Sequence, residues 1–186
     1  GDEFVRNIAS GLLNGGQYLS RLDGLLASTP ERLRQPLMEA AFLSLSADNF
    51  DDPQKWLGRL AETPEDKRAN LTARVASAWA QQMPEEALAW ATTLPEGGER
   101  TAAMGSAASA WINRDTYGAS EWISTLPAGS DKDTAATSLV HVIAKDSPAE
   151  AWQWALSITD PSARTSTAFF TLSAMQKHDP ATARQW

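Results

Sequence analysis

The chain has 186 residues with 16 basic and 23 acidic side chains, so its net charge is −7 and general attraction to phosphate backbones or anionic lipid is not expected. It has no cysteine, which excludes a disulfide scaffold, a thiolate metal site and a cysteine nucleophile. No apolar run approaches the roughly 18 residues that a membrane-spanning helix needs, and no signal-peptide pattern opens the chain. We therefore expect no nucleic-acid partner and no membrane insertion. The compartment stays open, because removal of an upstream leader or anchor fits the same sequence.

Residues 1–50 predict a leading helix followed by a divergent helical repeat. The leading helix ends at Asn14-Gly15-Gly16, and its apolar face is formed by Phe4, Val5, Ile8 and Leu12. Two further apolar stripes follow it, Leu19, Leu22 and Leu26 and then Leu37, Ala41 and Leu45. The region is thus predicted to belong to the same domain as the rest of the chain.

Residues 51–186 predict regular repeats, because two series of large apolar residues share one period. The first series, spaced by 34 and then three times by 32 residues, is Trp56, Trp90, Trp122, Trp154 and Trp186. The second, spaced by 32, is Trp79, Trp111, Ile143 and Met175. Interleaved series of this kind indicate a unit of 32 to 34 residues stacked on copies of itself.

The clearest unit begins at Pro84, which suits the first turn of a helix. One apolar stripe consists of Ala87, Trp90, Ala91 and Leu94, and the turn at Pro95, Gly97 and Gly98 ends that helix. A second helix is predicted from about Glu99 to Asn113. The whole chain, 1–186, is therefore predicted to be a single all-α domain with a leading helix, five helical hairpins and the start of a sixth. It stops at a repeat tryptophan, so we expect the natural protein to continue.

A helix pair of about 34 residues with a proline six residues before the first-helix tryptophan resembles the tetratricopeptide repeat; the pairs are Pro84 and Trp90, Pro148 and Trp154, and Pro180 and Trp186. The resemblance implies a right-handed α/α superhelical solenoid whose concave face, lined by first helices, binds peptides or partner proteins. This chain departs from that family in its 32-residue period and in having Leu94, Leu126 and Ile158 where the family has glycine. The pitch of the superhelix and the position of its groove therefore stay open.

The repeated tryptophans are predicted to pack in the core, since periodic aromatics at helical spacing are usually packing residues. Tyr117 and Trp152 break this pattern, because on a helical wheel they lie opposite and beside the buried stripes. With Glu121 and Gln153 they form the predicted partner-binding surface.

A basic residue recurs at the start of each second helix: Arg34, Arg68, Arg100, Lys132 and Arg164. A cation there opposes the helix dipole, so we predict that it binds free carbonyls at the end of the preceding helix. A row of anion-binding cations is the functional alternative.

No enzymatic or metal chemistry is indicated. His141 and His178 have no second ligand at metal spacing, and no phosphate loop or nucleophile motif occurs. The leading hypothesis is a non-enzymatic scaffold that needs no cofactor and binds a peptide or protein partner. The alternatives are a carbohydrate- or cell-envelope-binding module that uses exposed aromatics, and a fragment of an α/α-barrel hydrolase.

Overall fold

The computed structural model describes residues 18–178 and residue 183, and the regular structure in this part is entirely helical. Ten α-helices follow one another, with a short 3₁₀ helix at Ala47–Asn49 after the second. They are α1 (Tyr18–Ser28), α2 (Glu31–Leu43), α3 (Pro53–Ala61), α4 (Glu65–Gln82), α5 (Pro84–Thr93), α6 (Gly98–Arg114), α7 (Thr116–Thr125), α8 (Ser130–Ile143), α9 (Pro148–Ser157) and α10 (Pro161–His178). The predicted leading helix over residues 4–12 and the predicted helix start at Pro180 and Trp186 lie outside the described residues.

Local sequence signals explain where the helices begin. Pro84 is the first residue of α5, as predicted, and the predicted second helix of that unit is α6, one residue longer at each end. The Asp52 side chain accepts the backbone N–H of Lys55 at 3.2 Å and so caps α3. Gly97 precedes α6 with φ of 145°, a conformation that side chains rarely adopt.

The odd-numbered helices, called first helices here, each contact the even-numbered second helix that follows. Second helices also contact one another in chain order, from α2 to α4, α6, α8 and α10, most extensively between α4 and α6. First helices pack on second helices, and within the described part of the chain their backbones seldom approach each other. Side chains of α1 and α3 do meet, through the rings of Tyr18 and Trp56 and the ion pair of Asp23 with Arg59. The second helices therefore form a continuous column, the second-helix column.

The core follows the predicted stripes, with one correction. Trp56 is completely buried, and Trp79 and Trp111 are buried on the second helices. Trp90 and Trp122, predicted as core, are only half-buried at its edge, like Trp154. Alanines and Ile123 fill the centre of those first helices instead, because short side chains let them approach the column.

Tryptophan rings connect neighbouring repeats. The ring of Trp79 lies 5.6 Å from that of Trp90, and the ring of Trp111 lies 5.9 Å from that of Trp122. Each pair joins the end of a second helix to the next first helix. The half-buried tryptophans thus stabilise the packing between repeats, which explains why they recur at the edge of the core.

The structural interpretation of the recurring cations is confirmed, because each one donates to a carbonyl oxygen in the turn before its helix. The donor to acceptor distances lie between 2.9 and 3.2 Å. The pairs are Arg34 with Thr29, Arg68 with Thr63, Arg100 with Leu94, Lys132 with Ser124 and Leu126, and Arg164 with Ile158. These side chains are used by the fold in every described repeat.

Carboxylates add polar contacts between repeats. Arg100 forms two hydrogen bonds with Asp131 of the next second helix. The buried carboxylate of Asp133 accepts the backbone N–H groups of Thr159 and Asp160, both at 2.8 Å, and the Thr159 hydroxyl at 2.7 Å. Burial alone would raise the pKa of Asp133, but these hydrogen bonds, with Arg164 nearby, lower it overall.

Candidate functional site

A groove runs along the open surface of α6, between α4 and α8, with a cavity volume of about 850 Å³. Its lining follows α6 from Thr101 to Arg114, a length of about 20 Å at the rise of an α-helix. We call it the second-helix groove. Its lining residues are Ala47, Ser77, Gln81, Thr101, Ala102, Gly105, Ser106, Ser109, Ala110, Asn113, Arg114 and Ser138.

Small side chains on α6 create this groove. A Cβ atom added to Gly105 would lie 3.5 Å from Cγ2 of Thr134, so α8 packs close to the α6 backbone. The Ser138 hydroxyl donates to the Gly105 carbonyl oxygen at 3.5 Å, a long hydrogen bond across the same contact. Because the side chains on this face of α6 are short, the face forms a shallow floor between α4 and α8.

The lining combines alanine and glycine with hydroxyl and amide side chains, and it lacks both carboxylates and aromatic rings. Serine and threonine hydroxyls and the amides of Gln81 and Asn113 can each donate and accept hydrogen bonds. Arg114 is the one charged residue that lines the groove. The absence of carboxylates from this lining contrasts with the 23 acidic residues of the chain, and the groove offers no aromatic face on which a sugar ring could stack.

Gln82 and Arg114, which occupy equivalent positions in successive repeats, each connect the end of a second helix to the preceding repeat. Gln82, at the end of α4, donates from Nε2 to the carbonyl oxygens of Ala47 and Phe50, the latter at 2.9 Å. Arg114 is 32 residues further on, at the end of α6, and its Nη1 donates to the carbonyl oxygen of Gln81 at 2.5 Å. A neutral amide and a guanidinium thus make the same kind of bond to the preceding repeat.

An aromatic patch lies next along the second-helix column. The rings of His141 and Phe170 meet edge to face at 4.6 Å. Phe169 is 72% exposed and Phe170 43% exposed. They occupy the positions, 64 residues on, that match Gly105 and Ser106 of the groove floor. The same surface of the column therefore changes from small and polar on α6 to aromatic on α10.

The predicted partner-binding residues lie on first helices, and none of them lines this groove. Tyr117 on α7 is 72% exposed, and a hydrogen bond to the neighbouring Glu121 raises the pKa of its hydroxyl. Glu121 is itself exposed. These two side chains therefore form one local polar and aromatic contact surface.

Trp152 and Gln153 lie on α9, which packs on α8 and has at most marginal contact with α7. Gln153 is exposed, but Trp152 is half-buried, and the matching residue of α5, Leu88, is completely buried. The structure thus places Trp152 nearer the core than the wheel indicated. The four residues form two separate pairs on neighbouring repeats, and their role in partner binding stays a prediction.

Metal-binding clusters and membrane-spanning helices are absent from the described part of the chain. No cluster of three or more histidine, aspartate or glutamate side chains there could hold a metal ion. None of the helices described is long and apolar enough to cross a bilayer. His141 is exposed, as expected for a solvated helix face.

Comparison of the chain with protein-family models, curated proteins and solved structures finds no match. The tetratricopeptide-like resemblance therefore stays an expectation.

Sequence reasoning missed the second-helix groove. Its signal was present in α6, where Ala102, Gly105, Ser106, Ser109 and Ala110 leave one helix face without a large side chain. The helical-wheel prediction considered aromatic residues outside the apolar stripes and did not consider small residues that share one helix face. A search for unusually small helix faces would have identified α6.

Proposed function

We propose that this chain is a non-enzymatic helical-repeat scaffold that holds a peptide segment of a partner protein in the second-helix groove. The observation that carries the proposal is the groove itself, which has a volume of about 850 Å³, small side chains on its floor and hydroxyl and amide groups in its lining. An enzyme would need converging titratable groups at its site, and this lining contains one arginine and no carboxylate or histidine.

The dimensions and chemistry of the groove suit an extended peptide. At about 3.3 Å per residue, a groove of about 20 Å holds roughly six residues. The backbone N–H and C=O groups of a bound peptide require partners once water is displaced. Ser77, Ser106, Ser109 and Asn113 supply donors and acceptors for them.

The proposal includes a right-handed α/α solenoid, and the order of helix contacts supports the stacking of its repeats. Second helices contact each other in sequence in the described part, and the backbones of first helices approach each other much less, although Trp56 of α3 packs on Tyr18 of α1. The proposed peptide site lies on the second helices, and not on the first helices that the tetratricopeptide resemblance implies.

Tyr117 supports a second candidate function, the binding of a carbohydrate or cell-envelope component. Its ring is 72% exposed, and the neighbouring Glu121 raises the pKa of its hydroxyl, so an uncovered aromatic face lies beside an acidic group. Tyrosine combines an apolar face with a polar tip, as such a ligand requires. This surface is separate from the second-helix groove, so the two candidates can be tested independently.

A displayed library of random octapeptides tests the proposal. The groove variant combines Ser106→Phe with Ser109→His, which copies Phe170 and His141 from the matching positions of other repeats. Each side chain occurs at the matching position of another second helix, α10 or α8, so we expect the variant to fold and to fill the groove. The matched surface variant is Tyr117→Ser with Trp152→Ser.

We expect the wild type and the surface variant to enrich peptides, and the groove variant to lose at least tenfold in affinity for them. If instead the groove variant binds normally and the surface variant does not, the site lies on the first helices. If no protein enriches peptides but the wild type binds a glycan array and the surface variant does not, the carbohydrate candidate replaces the proposal.

A further inference from the structure

The charge of Arg114 is not needed for its structural contact. In the preceding repeat, Gln82 donates to carbonyl oxygens in the same way with a neutral amide. In the following repeat the matching residue is Asp146, which has no donor when ionised. The helical repeat therefore tolerates a positive, a neutral or a negative side chain at this position, and the fold alone does not explain the arginine.

Arg114 also has donors left for a ligand. A guanidinium carries five N–H donors in one plane, and the bond to Gln81 uses Nη1. The residue is exposed at the end of α6 and belongs to the lining of the second-helix groove. Among the side-chain groups that a peptide can offer, a carboxylate is the best match for a forked donor of this kind.

The remaining lining favours the same ligand. It contains no aspartate or glutamate, although acidic residues outnumber basic ones by 23 to 16 in the chain. An acidic peptide would therefore meet one attractive charge within the groove and no repulsive carboxylate in its lining. A basic peptide would meet one repulsive charge and no attractive carboxylate in the lining.

We propose that Arg114 makes the second-helix groove selective for acidic peptide segments, with a peptide carboxylate held at the C-terminal end of α6. This inference rests on the proposed peptide-binding function and adds the chemical class of the partner. The arginine has one further effect on the fold, because a cation at a helix C-terminus stabilises the helix slightly. That effect appears in a thermal melt and does not depend on any peptide.

The test selects the random octapeptide library on the wild type, on Arg114→Gln and on Arg114→Lys. Glutamine preserves the contact to the preceding repeat, as Gln82 does, and removes the charge; lysine keeps the charge without the fork. Selected peptides are then measured by fluorescence anisotropy at 50 and 300 mM NaCl, and each protein is melted without peptide.

We expect the wild type to enrich aspartate- or glutamate-containing peptides and to bind them more weakly at high salt. Arg114→Gln should bind these peptides roughly fivefold to tenfold more weakly and lose most of the salt dependence of binding, with a nearly unchanged melting temperature. Arg114→Lys should retain part of the preference. Peptides enriched without acidic bias, or bound equally by Arg114→Gln, would overturn the inference and leave the peptide-binding function intact. Failure to enrich any peptide would contradict the function and the inference together.

Discussion

Replacement of Trp56 gives the most direct test of the packing described here. Its ring is completely buried, 5.8 Å from the ring of Tyr18 and 5.2 Å from that of Phe42. Its indole N–H is buried and has no hydrogen-bond partner within the described part of the chain. The side chain should therefore contribute through apolar contact alone, and two substitutions separate the ring from the N–H group.

Trp56→Ala removes the ring. A buried tryptophan covers roughly 150 to 250 Å², which at about 25 cal/mol per Å² corresponds to about 4 to 6 kcal/mol as an upper value. Measured losses for such truncations are about 3 to 5 kcal/mol. We expect a loss of about 4 kcal/mol in the free energy of unfolding and a fall in melting temperature of roughly 8 to 16 °C for a chain of this size.

Trp56→Phe keeps an aromatic ring and removes the unpaired N–H. Burying such a group costs roughly 1 to 3 kcal/mol, so its removal offsets part of the lost contact area. We expect the phenylalanine variant to lie within about 1.5 kcal/mol of the wild type. Trp122→Ala is the control, because that half-buried ring should contribute about half as much as Trp56.

Urea unfolding followed by far-ultraviolet circular dichroism measures all three variants, since the eight tryptophans make fluorescence hard to assign. A phenylalanine variant as unstable as the alanine variant would refute the reasoning, because the N–H would then make an essential bond. A larger loss from Trp122→Ala than from Trp56→Ala would show that the core is misplaced.

Three further predictions concern polar contacts and backbone geometry. Arg68→Met removes the hydrogen bond to Thr63 and should lower stability by about 1 kcal/mol in a thermal melt; an unchanged melt would contradict its structural role. Because its hydrogen bonds lower the pKa of Asp133, that carboxylate stabilises the fold above its unfolded pKa, near 4, and this contribution is lost as the pH falls through the lower folded value. Asp133→Asn should therefore cost about 2 kcal/mol at pH 7 and converge with the wild type in acid, as urea titrations at several pH values would show. Gly97→Ala should cost about 1 to 3 kcal/mol because of its φ of 145°, whereas Gly98→Ala, with open space around the new Cβ, should be neutral or slightly stabilising. Equal effects of the two glycine changes in the same melt would contradict the backbone argument.

The helices were predictable because their signals are local. Pro84 and Asp52 start helices by restricting φ or by accepting a free N–H, and both effects act within one turn of the chain. The recurring cations were also predictable, since Arg68 and its equivalents bind carbonyl oxygens only five to eight residues away.

Burial and the candidate site were less predictable because they depend on neighbouring repeats. Trp56 and Trp122 occupy equivalent positions in the sequence, yet only Trp56 is enclosed, since Tyr18 and Phe42 cover it. The groove likewise needs the walls of α4 and α8 beside the small face of α6. The regular spacing of apolar residues along the chain does not show which side chains of neighbouring helices make such contacts.

The second-helix column has a mechanical consequence. Its helices contact one another continuously from α2 to α10, while the first helices are attached mainly to the column. If the helical array bends, the distances between first helices should therefore change more than the distances between second helices in the column. A ligand on the column would bind a surface of nearly constant width and would lose little conformational entropy in fixing it. A ligand that bridges two first helices would have to fix the distance between them, which few backbone contacts define.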